Sequence, residues 1–373
     1  MKSLDVSRSP VTTVRIVVIG SVGVPARYGG FESLVETLLD HTPEGVEYTV
    51  FCSSQVYPDK VQSYKGAKLK YLPLNANGIQ SILYDVFSLM NSIKRYDVVL
   101  VLGVSGALFF PVFKILSKTV LVCNIDGLEW RRSKWNFLTK YFLRFSEQVA
   151  VRSSDIVIAD NRGISDHVFS AYGKEAVVIA YGADLCNETS NHLLAEYSLI
   201  PKSYYFKVAR IEPENNLLLI LKSFSSVPSQ KIVIVGNWSA SDFGQNLKRV
   251  YSKYRNIILL DPIYNLHELN ELRRNCLAYI HGHSAGGTNP SLVEAMALKL
   301  PIFSFDVNFN RYTLCNRGFY FSSQEDLVWL INNANIVDLV SESEAVFDVY
   351  TENYKNSKIA KDYLDLFKTL VKF

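Results

Sequence analysis

The densest chemistry in the chain lies in the run His281-Gly282-His283-Ser284-Ala285-Gly286-Gly287-Thr288-Asn289-Pro290, with Glu294 shortly after it. The apolar residues Leu277 to Ile280 before this run have strand character, and the residues after it turn helical. Gly286 and Gly287 let a ligand approach the backbone closely. Thr288 or Asn289 can cap the helix, whose first-turn N–H groups then face an anion. Glu294 falls about one to two turns into that helix, where a carboxylate can accept a hydrogen bond from a sugar hydroxyl. A phosphate and a ribose together point to a nucleotide. His281, His283 and Glu294 lack the spacing of a metal site, so no metal is predicted.

Three further constellations stand where a strand gives way to a helix. Pro25-Ala26-Arg27-Tyr28-Gly29-Gly30-Phe31-Glu32 precedes a helix with apolar Phe31, Leu34, Val35, Leu38 and Leu39. Its glycine pair can present N–H groups to a phosphate or an acceptor hydroxyl, with Arg27 adding charge, or can serve a tight turn alone. Arg210 ends a strand in Tyr205-Phe206-Lys207-Val208-Ala209-Arg210. There it can fork two hydrogen bonds onto a diphosphate, or pair with Glu212 or Glu214. The segment from Asn124 to Trp135 crowds Asp126, Glu129, Trp130, Arg131, Arg132, Lys134 and Trp135 together. It can receive a saccharide through aromatic faces and carboxylates, or form a salt-bridged loop. The absence of a Gly-x-Ser-x-Gly elbow or a Ser-His-Asp arrangement argues against a hydrolase.

The elements that must position these groups alternate strand and helix from end to end, which predicts parallel sheets with helical crossovers. Strands are predicted at 14–20, 48–52, 98–103, 120–124, 156–159 and 176–179, then at 204–209, 231–236, 257–260, 277–280 and 301–305. Clear helices are predicted at 31–39 and 136–153. The second carries Leu138, Tyr141, Phe142, Phe145 and Val149 on one side. That stripe reads first as core-facing, with an anionic membrane surface as its alternative. Residues 181–203 are mixed in polarity and predict a hinge. Residues 345–373 predict one helix with Tyr354, Ile359, Tyr363, Leu366, Phe367 and Leu370 on a stripe.

The 373 residues suit two domains with a cleft between facing strand ends. The predicted bounds are 1–185, 186–350 and a returning helix at 351–373. A hydrophobic content of 48%, a charged content of 20% and a net charge of +3 describe a globular protein and give no support for nucleic-acid binding. The five cysteines are spread without close pairs, and the polar start lacks the pattern of a signal peptide, so a reduced, cytoplasmic setting is predicted. The longest uncharged run, 98–113, is too short and too broken by glycine and proline to span a bilayer.

Together the runs Gly23–Glu32, Asp126–Trp130 and Gly286–Met296 resemble the bacterial GT-B glycosyltransferases of family 4, in the rhamnosyltransferase-like subgroup of cell-surface polysaccharide synthesis. The resemblance covers about Val14 to Phe321. It implies an α/β chain of two Rossmann-like domains, a nucleotide-sugar donor held mainly by the second, an acceptor held mainly by the first, and no cofactor. By this resemblance Glu294 binds the donor ribose, Arg210 neutralises the diphosphate, and Asp126 lies on the acceptor side. The implied donor contacts are Gly29, Gly30, Arg210, His283, Gly286, Gly287, Thr288, Asn289 and Glu294. The implied acceptor contacts are Arg27, Tyr28, Asp126, Glu129 and Trp130. Gly286 stands where the family motif has its first glutamate, and Asn215 where a lysine usually follows the arginine. Asn289, His283 or backbone N–H groups then become the candidates for touching the transferred sugar. The expected activity is retaining transfer of rhamnose from dTDP-rhamnose to a lipid-linked oligosaccharide at the inner face of the membrane. The alternatives are a UDP-sugar hexosyltransferase and a catalytically silent sugar-nucleotide-binding subunit.

Overall fold

Val14–Ile19 (β1) is almost wholly apolar because it is the central strand of a sheet covered on both faces. The computed structural model describes residues 13–27, 29–132, 135–184 and 192–371. Around β1 the chain lays down β2 (Val46–Ser53), β3 (Ser63–Tyr64), β4 (Ala67–Leu72), β5 (Val98–Leu102), β6 (Val120–Asn124), β7 (Ile156–Ala159) and β8 (Val177–Val178). Their order is β3-β4-β2-β1-β5-β6-β7-β8, and only the β3–β4 pair is antiparallel.

The chain moves one way from β1 and the other way from β5, so right-handed crossovers place helices on opposite faces. The helix α1 (Gly30–Asp40) buries Leu34, Val35 and Leu38 against Ile16, Val18 and Val50. On the other face lie α2 (Gln80–Ser92), α3 (Phe110–Leu116), α4 (Phe137–Ser153) and α5 (Arg162–Tyr172), which pack Tyr84, Phe113, Val151 and Ile164 against Val17, Ile19 and Val99.

After α6 (His192–Glu196), the second sheet has β9 (Tyr204–Val208), β10 (Lys231–Val235), β11 (Ile257–Leu260), β12 (Ala278–His281), β13 (Ile302–Phe305) and β14 (Phe319–Phe321). It is parallel throughout, in the order β11-β10-β9-β12-β13-β14. Its helices are α7 (Leu217–Ser226), α8 (Asp242–Tyr251), α9 (Leu266–Arg274), α10 (Pro290–Ala297), α11 (Asn308–Thr313) and α12 (Gln324–Asn333). Both sheets therefore wind outward from a first strand, β1 or β9, and switch direction beside it. Ligand crevices open at such points.

Two readings of the sequence are corrected. The single helix over 345–373 is two, α13 (Ile336–Asn353) and α14 (Asn356–Leu370). No glycine or proline breaks them. Instead the Tyr354 carbonyl accepts from the Ala183 N–H at 2.9 Å, the Tyr350 hydroxyl donates to the Ala183 carbonyl, and the Tyr354 hydroxyl donates to Thr313. The stripe divides accordingly. Tyr354 joins the second core, while Ile359, Tyr363 and Phe367 join the first. The core-facing reading of α4 is also overturned, because the residues turned inward are Ser146, Glu147, Ala150 and Val151, while Leu138, Tyr141 and Phe145 are exposed. Glu147 can be buried there because His167, Tyr172 and Trp130 all direct polar hydrogens or ring nitrogens at it. The predicted boundary at 185/186 lies outside the described residues.

Candidate functional site

The carboxyl-end loops of the two sheets meet face to face. A Cβ on Gly127, in the loop after β6, would lie 2.8 Å from the Gly286 Cα and 3.1 Å from the Gly287 nitrogen. Gly30, at the start of α1, would place a Cβ 3.7 Å from the Pro290 ring at the start of α10. Two helix N-termini, one from each unit, thus converge on one crevice. Dipole ends pointing into a common space favour a negative ligand.

On the second unit, Asn289 caps α10 by accepting from the Ser291 N–H at 3.0 Å, and Pro290 occupies the first turn. Glu294 follows a turn later with its side chain 34% exposed and 2.6 Å from Arg273 of α9, which is only 1% exposed. Arg273 also donates to Asn270 at 2.7 Å. A buried guanidinium therefore fixes the orientation of the carboxylate that faces the crevice. Arg273 went unnoticed in the sequence because it lies 21 residues upstream, on another helix, with no motif around it.

Arg210 is exposed at the end of β9, with Nε 3.8 Å from Glu212. Arg132, from the first unit, approaches the same Glu212 at 3.7 Å while holding Glu129 at 2.7 Å. The pairing of Arg210 with Glu212 is loose, and its guanidinium still reaches solvent. Asn215, in the lysine's place, is buried and structural. Its amide donates to the Arg210 carbonyl at 2.9 Å, so its oxygen must accept, and that oxygen lies 3.0 Å from His283 Nδ1. Burial, then Arg132, Lys207 and Arg210, push the His283 pKa down to about 3. The ring is therefore neutral, with its proton on Nδ1 facing Asn215. Nε2 is left with a lone pair, 3.1 Å from where a Gly286 Cβ would stand. A hydroxyl arriving at Gly286 would find an acceptor there.

Thr288 is turned away from the crevice. Its hydroxyl donates to the Asp160 carbonyl at 2.5 Å and accepts from Asn161 at 3.3 Å, both in the first unit. Its side chain serves the contact between units and is removed from the donor contacts. Gly287 backs onto Asp160 so closely that a Cβ would overlap the carboxylate.

On the first unit, Asp126 is half-buried with a left-handed backbone (φ 62°). Desolvation raises its pKa, and Arg132 and Arg210 oppose the rise. Asp160, missed in the sequence although it follows β7 directly, is buried, and burial followed by Asp126 raises its pKa well above the carboxylate range. Two other acceptor candidates are already engaged. The Glu129 carboxylate holds Arg132 and accepts from Trp135 Nε1 at 3.1 Å. Trp130 donates to Glu147 at 2.9 Å, and its ring has the Arg131 and Arg144 guanidinium groups at 5.2 and 5.3 Å. This corrects the saccharide-facing reading of Trp130, whose indole is occupied by the protein itself. Arg27 is exposed with its guanidinium 5.1 Å from the centre of the Tyr57 ring, and Tyr28 lies outside the described residues. Among the described residues no group of His, Cys, Asp or Glu is arranged to hold a metal.

Comparison with known proteins agrees with this layout. Residues 13–184 match the family described as Domain of unknown function (DUF1972), and residues 198–345 match the family described as Glycosyl transferases group 1. No curated protein matches the chain. Among solved structures, Anabaena Alr3699/HepE in complex with UDP is 12% identical over 96% of this chain and 100% of its own, with a TM-score of 0.72. Sucrose-phosphate synthase from Thermosynechococcus elongatus is also 12% identical, over 96% and 99%, with a TM-score of 0.79. A glycosyltransferase from Rickettsia africae is 15% identical over the same shares, with a TM-score of 0.71. At these identities the likeness shows the fold, which is GT-B, two Rossmann-like units facing across a cleft.

Proposed function

We propose that this chain is a nucleotide-sugar-dependent glycosyltransferase, with its donor on the second unit and its acceptor on the first. The observation that carries the reading is the convergence of Arg210, the capped start of α10 and the Arg273-anchored Glu294 on a crevice closed from the other side by the start of α1. Transfer breaks the bond between the anomeric carbon and the diphosphate, and its electron pair leaves with the diphosphate. The protein's main task is to stabilise that charge. We assign that task to Arg210 and the N–H groups at Gly287 to Asn289, each good preorganised donor contributing roughly 3 kcal/mol. Glu294 takes the ribose hydroxyls. Neutral His283, through Nε2, accepts from a hydroxyl of the transferred sugar in place of the glutamate that Gly286 replaces. The acceptor hydroxyl attacks from the face the diphosphate leaves and gives its proton to the departing diphosphate oxygen, so no covalent nucleophile is required, and Asp126 helps to orient it.

Within this reading the donor is dTDP-rhamnose and the acceptor a lipid-linked saccharide at the cytoplasmic face of the membrane. The relative described as a complex with UDP favours a second version, a UDP-sugar hexosyltransferase. Calorimetry with dTDP and with UDP tests the proposal and separates its two versions. Binding is expected to persist in the presence of a chelator. Failure of both nucleotides at millimolar concentration rejects the reading. Binding without release of diphosphate from any nucleotide sugar identifies a silent binding subunit.

A further inference from the structure

Three consecutive helices on one face of the first sheet turn large apolar side chains outward. On α2 the exposed residues Leu83, Phe87 and Met90, preceded by Ile79 at 89% exposure, recur at helical spacing. The turn before α3 and α3 itself expose Leu108, Val112 and Leu116, with Ile115 at 84%. On α4 the exposed residues are Phe137, at 80%, Leu138, Tyr141 and Phe145. These helices are neighbours, since α3 packs against α4 and the Asp85 carboxylate of α2 accepts the Gly106 N–H just before α3. Of the 26 large hydrophobic residues exposed among the described residues, 12 fall on these three neighbouring helices and the turns that open them, a concentration beyond ordinary scatter.

Its unpaired charges have one sign, since Asp155, just past this stretch, is held by Lys114 of α3. Between residues 79 and 152 the carboxylates are Asp85, Asp97, Asp126, Glu129 and Glu147. Asp85 and Glu147 are buried, Asp97 is held by Arg15, Glu129 by Arg132, and Asp126 lies in the cleft. None stands unpaired on the outer face. Lys94, Arg95, Lys118, Arg131 and Arg144 are exposed along the same stretch. Apolar residues framed by cations, with the acids withdrawn, match a surface that is greasy within and negative at its rim.

We propose that the outer face of α2, α3 and α4 seats the protein on the interfacial layer of an anionic lipid bilayer. The apolar side chains enter the headgroup boundary and the cations meet lipid phosphates. No helix among the described residues is long and apolar enough to cross a membrane, so the attachment is peripheral. Ile79, Leu108 and Phe137 sit at the starts of their helices, on the edge where the carboxyl ends of the strands open to the cleft. The docked cleft therefore stands beside the lipid surface, where a lipid-linked acceptor would be presented. That last step rests on the function proposed above, whereas the attachment does not.

The test is flotation of the full chain with vesicles of mixed phosphatidylglycerol and phosphatidylethanolamine, and with phosphatidylcholine alone, at low and high ionic strength. The wild type is expected to float with the anionic vesicles and less so at high salt. Two variants confined to exposed side chains, Phe137→Ser/Leu138→Ser/Tyr141→Ser and Ile79→Ser/Ile115→Ser, are each expected to lower partitioning about tenfold or more. Their thermal midpoint and nucleotide affinity should be unchanged. The proposal is overturned if the wild type stays in solution with anionic vesicles or if both variants float as well as it does. It is equally overturned if the face proves to hold a second copy, seen as a dimer that the variants dissociate and that does not float. Since the vesicles carry no saccharide, flotation without nucleotide binding would refute the transferase and leave the docking face standing.

Discussion

Glu294 and Arg273 show how a surface carboxylate acquires a fixed direction. The arginine is buried, so the pair behaves less like an exposed ion pair than like a bracket in which one partner depends on the other. Glu294→Gln is expected to weaken nucleotide binding by roughly 1.5–3 kcal/mol, as for a hydrogen bond to a charged group. It should also lower the thermal midpoint, because Arg273 keeps its charge and loses its counter-charge. Calorimetry and thermal unfolding of the same variant check both parts, and unchanged affinity would make Glu294 purely structural. Lys207 is the other telling residue. It is buried beneath the β12 loop, with its ammonium 3.2 Å from where a Cβ on Gly282 would lie, and burial lowers its pKa to about 7. The unfolded chain holds that proton up to its ordinary value of 10.5. Above about pH 7 the unfolded state thus binds more protons, and this group makes stability rise with pH. The buried Cys52, Cys123 and Cys276, with raised pKa values, act in the opposite sense once unfolded thiols ionise near 9.0. The window to examine is therefore between pH 7 and 9. Lys207→Met is expected to be more stable than the wild type at pH 7, with the difference shrinking toward pH 9. A constant difference would show that the lysine is charged in the fold.

At the scale of elements, α1 is tied to the loop before it by its own carboxylates, since Glu32 accepts the Val22 N–H and Glu36 the Ala26 N–H, each at 2.8 Å. The two glycines at its start differ for this reason. Gly29 has φ 149°, and a Cβ there would collide with the Glu32 carboxylate, whereas a Cβ on Gly30 meets Tyr181 at an ordinary 3.4 Å. Gly29→Ala should cost about 1–3 kcal/mol of stability. Gly30→Ala should fold normally yet lower turnover, because its methyl enters the crevice toward Pro290. Thermal midpoints and turnover of the two variants check this, and full turnover in Gly30→Ala would remove the start of α1 from the site.

The strands buried on both faces, β1, β5, β6, β9 and β10, were legible as apolar runs. The Lys-rich β4 and the short β3 and β14 were not, because a strand that is very short or half exposed to water carries no long apolar run. Helix α4 misled for a related reason, in that its outward side, with Leu138, Tyr141 and Phe145, is at least as apolar as its inward one. Of the candidate site, the glycine loop and the capped start of α10 were legible because local backbone chemistry marks them, whereas the roles proposed for Arg210 and Glu294 rest on the resemblance. Arg273, Asp160 and the neutral state of His283 depend on contacts between distant segments, which no local pattern records.

The two units of the molecule are joined at more than the linker. Asn161, which caps α5 in the first unit, donates to Thr288, to the Phe309 carbonyl and to Thr313 in the second. At the other end of the chain, α14 completes the first core with Ile359, Tyr363 and Phe367, and the buried Asn124 amide donates to the Tyr363 hydroxyl at 2.9 Å. The first unit is thus unfinished until the last residues are in place, and the strand β6 that leads to Asp126 is held from behind by the C-terminal helix. Phe367→Ala removes a ring buried beside α1 and β1, and such truncations cost about 3–5 kcal/mol. The loss is expected to appear far from residue 367 in sequence. Amide exchange should accelerate in β1, β2 and α1, while β9, β10 and α7, whose cores do not include this residue, keep their protection. Acceleration confined to α14 itself would mean that the helix only rests on a first unit already complete without it.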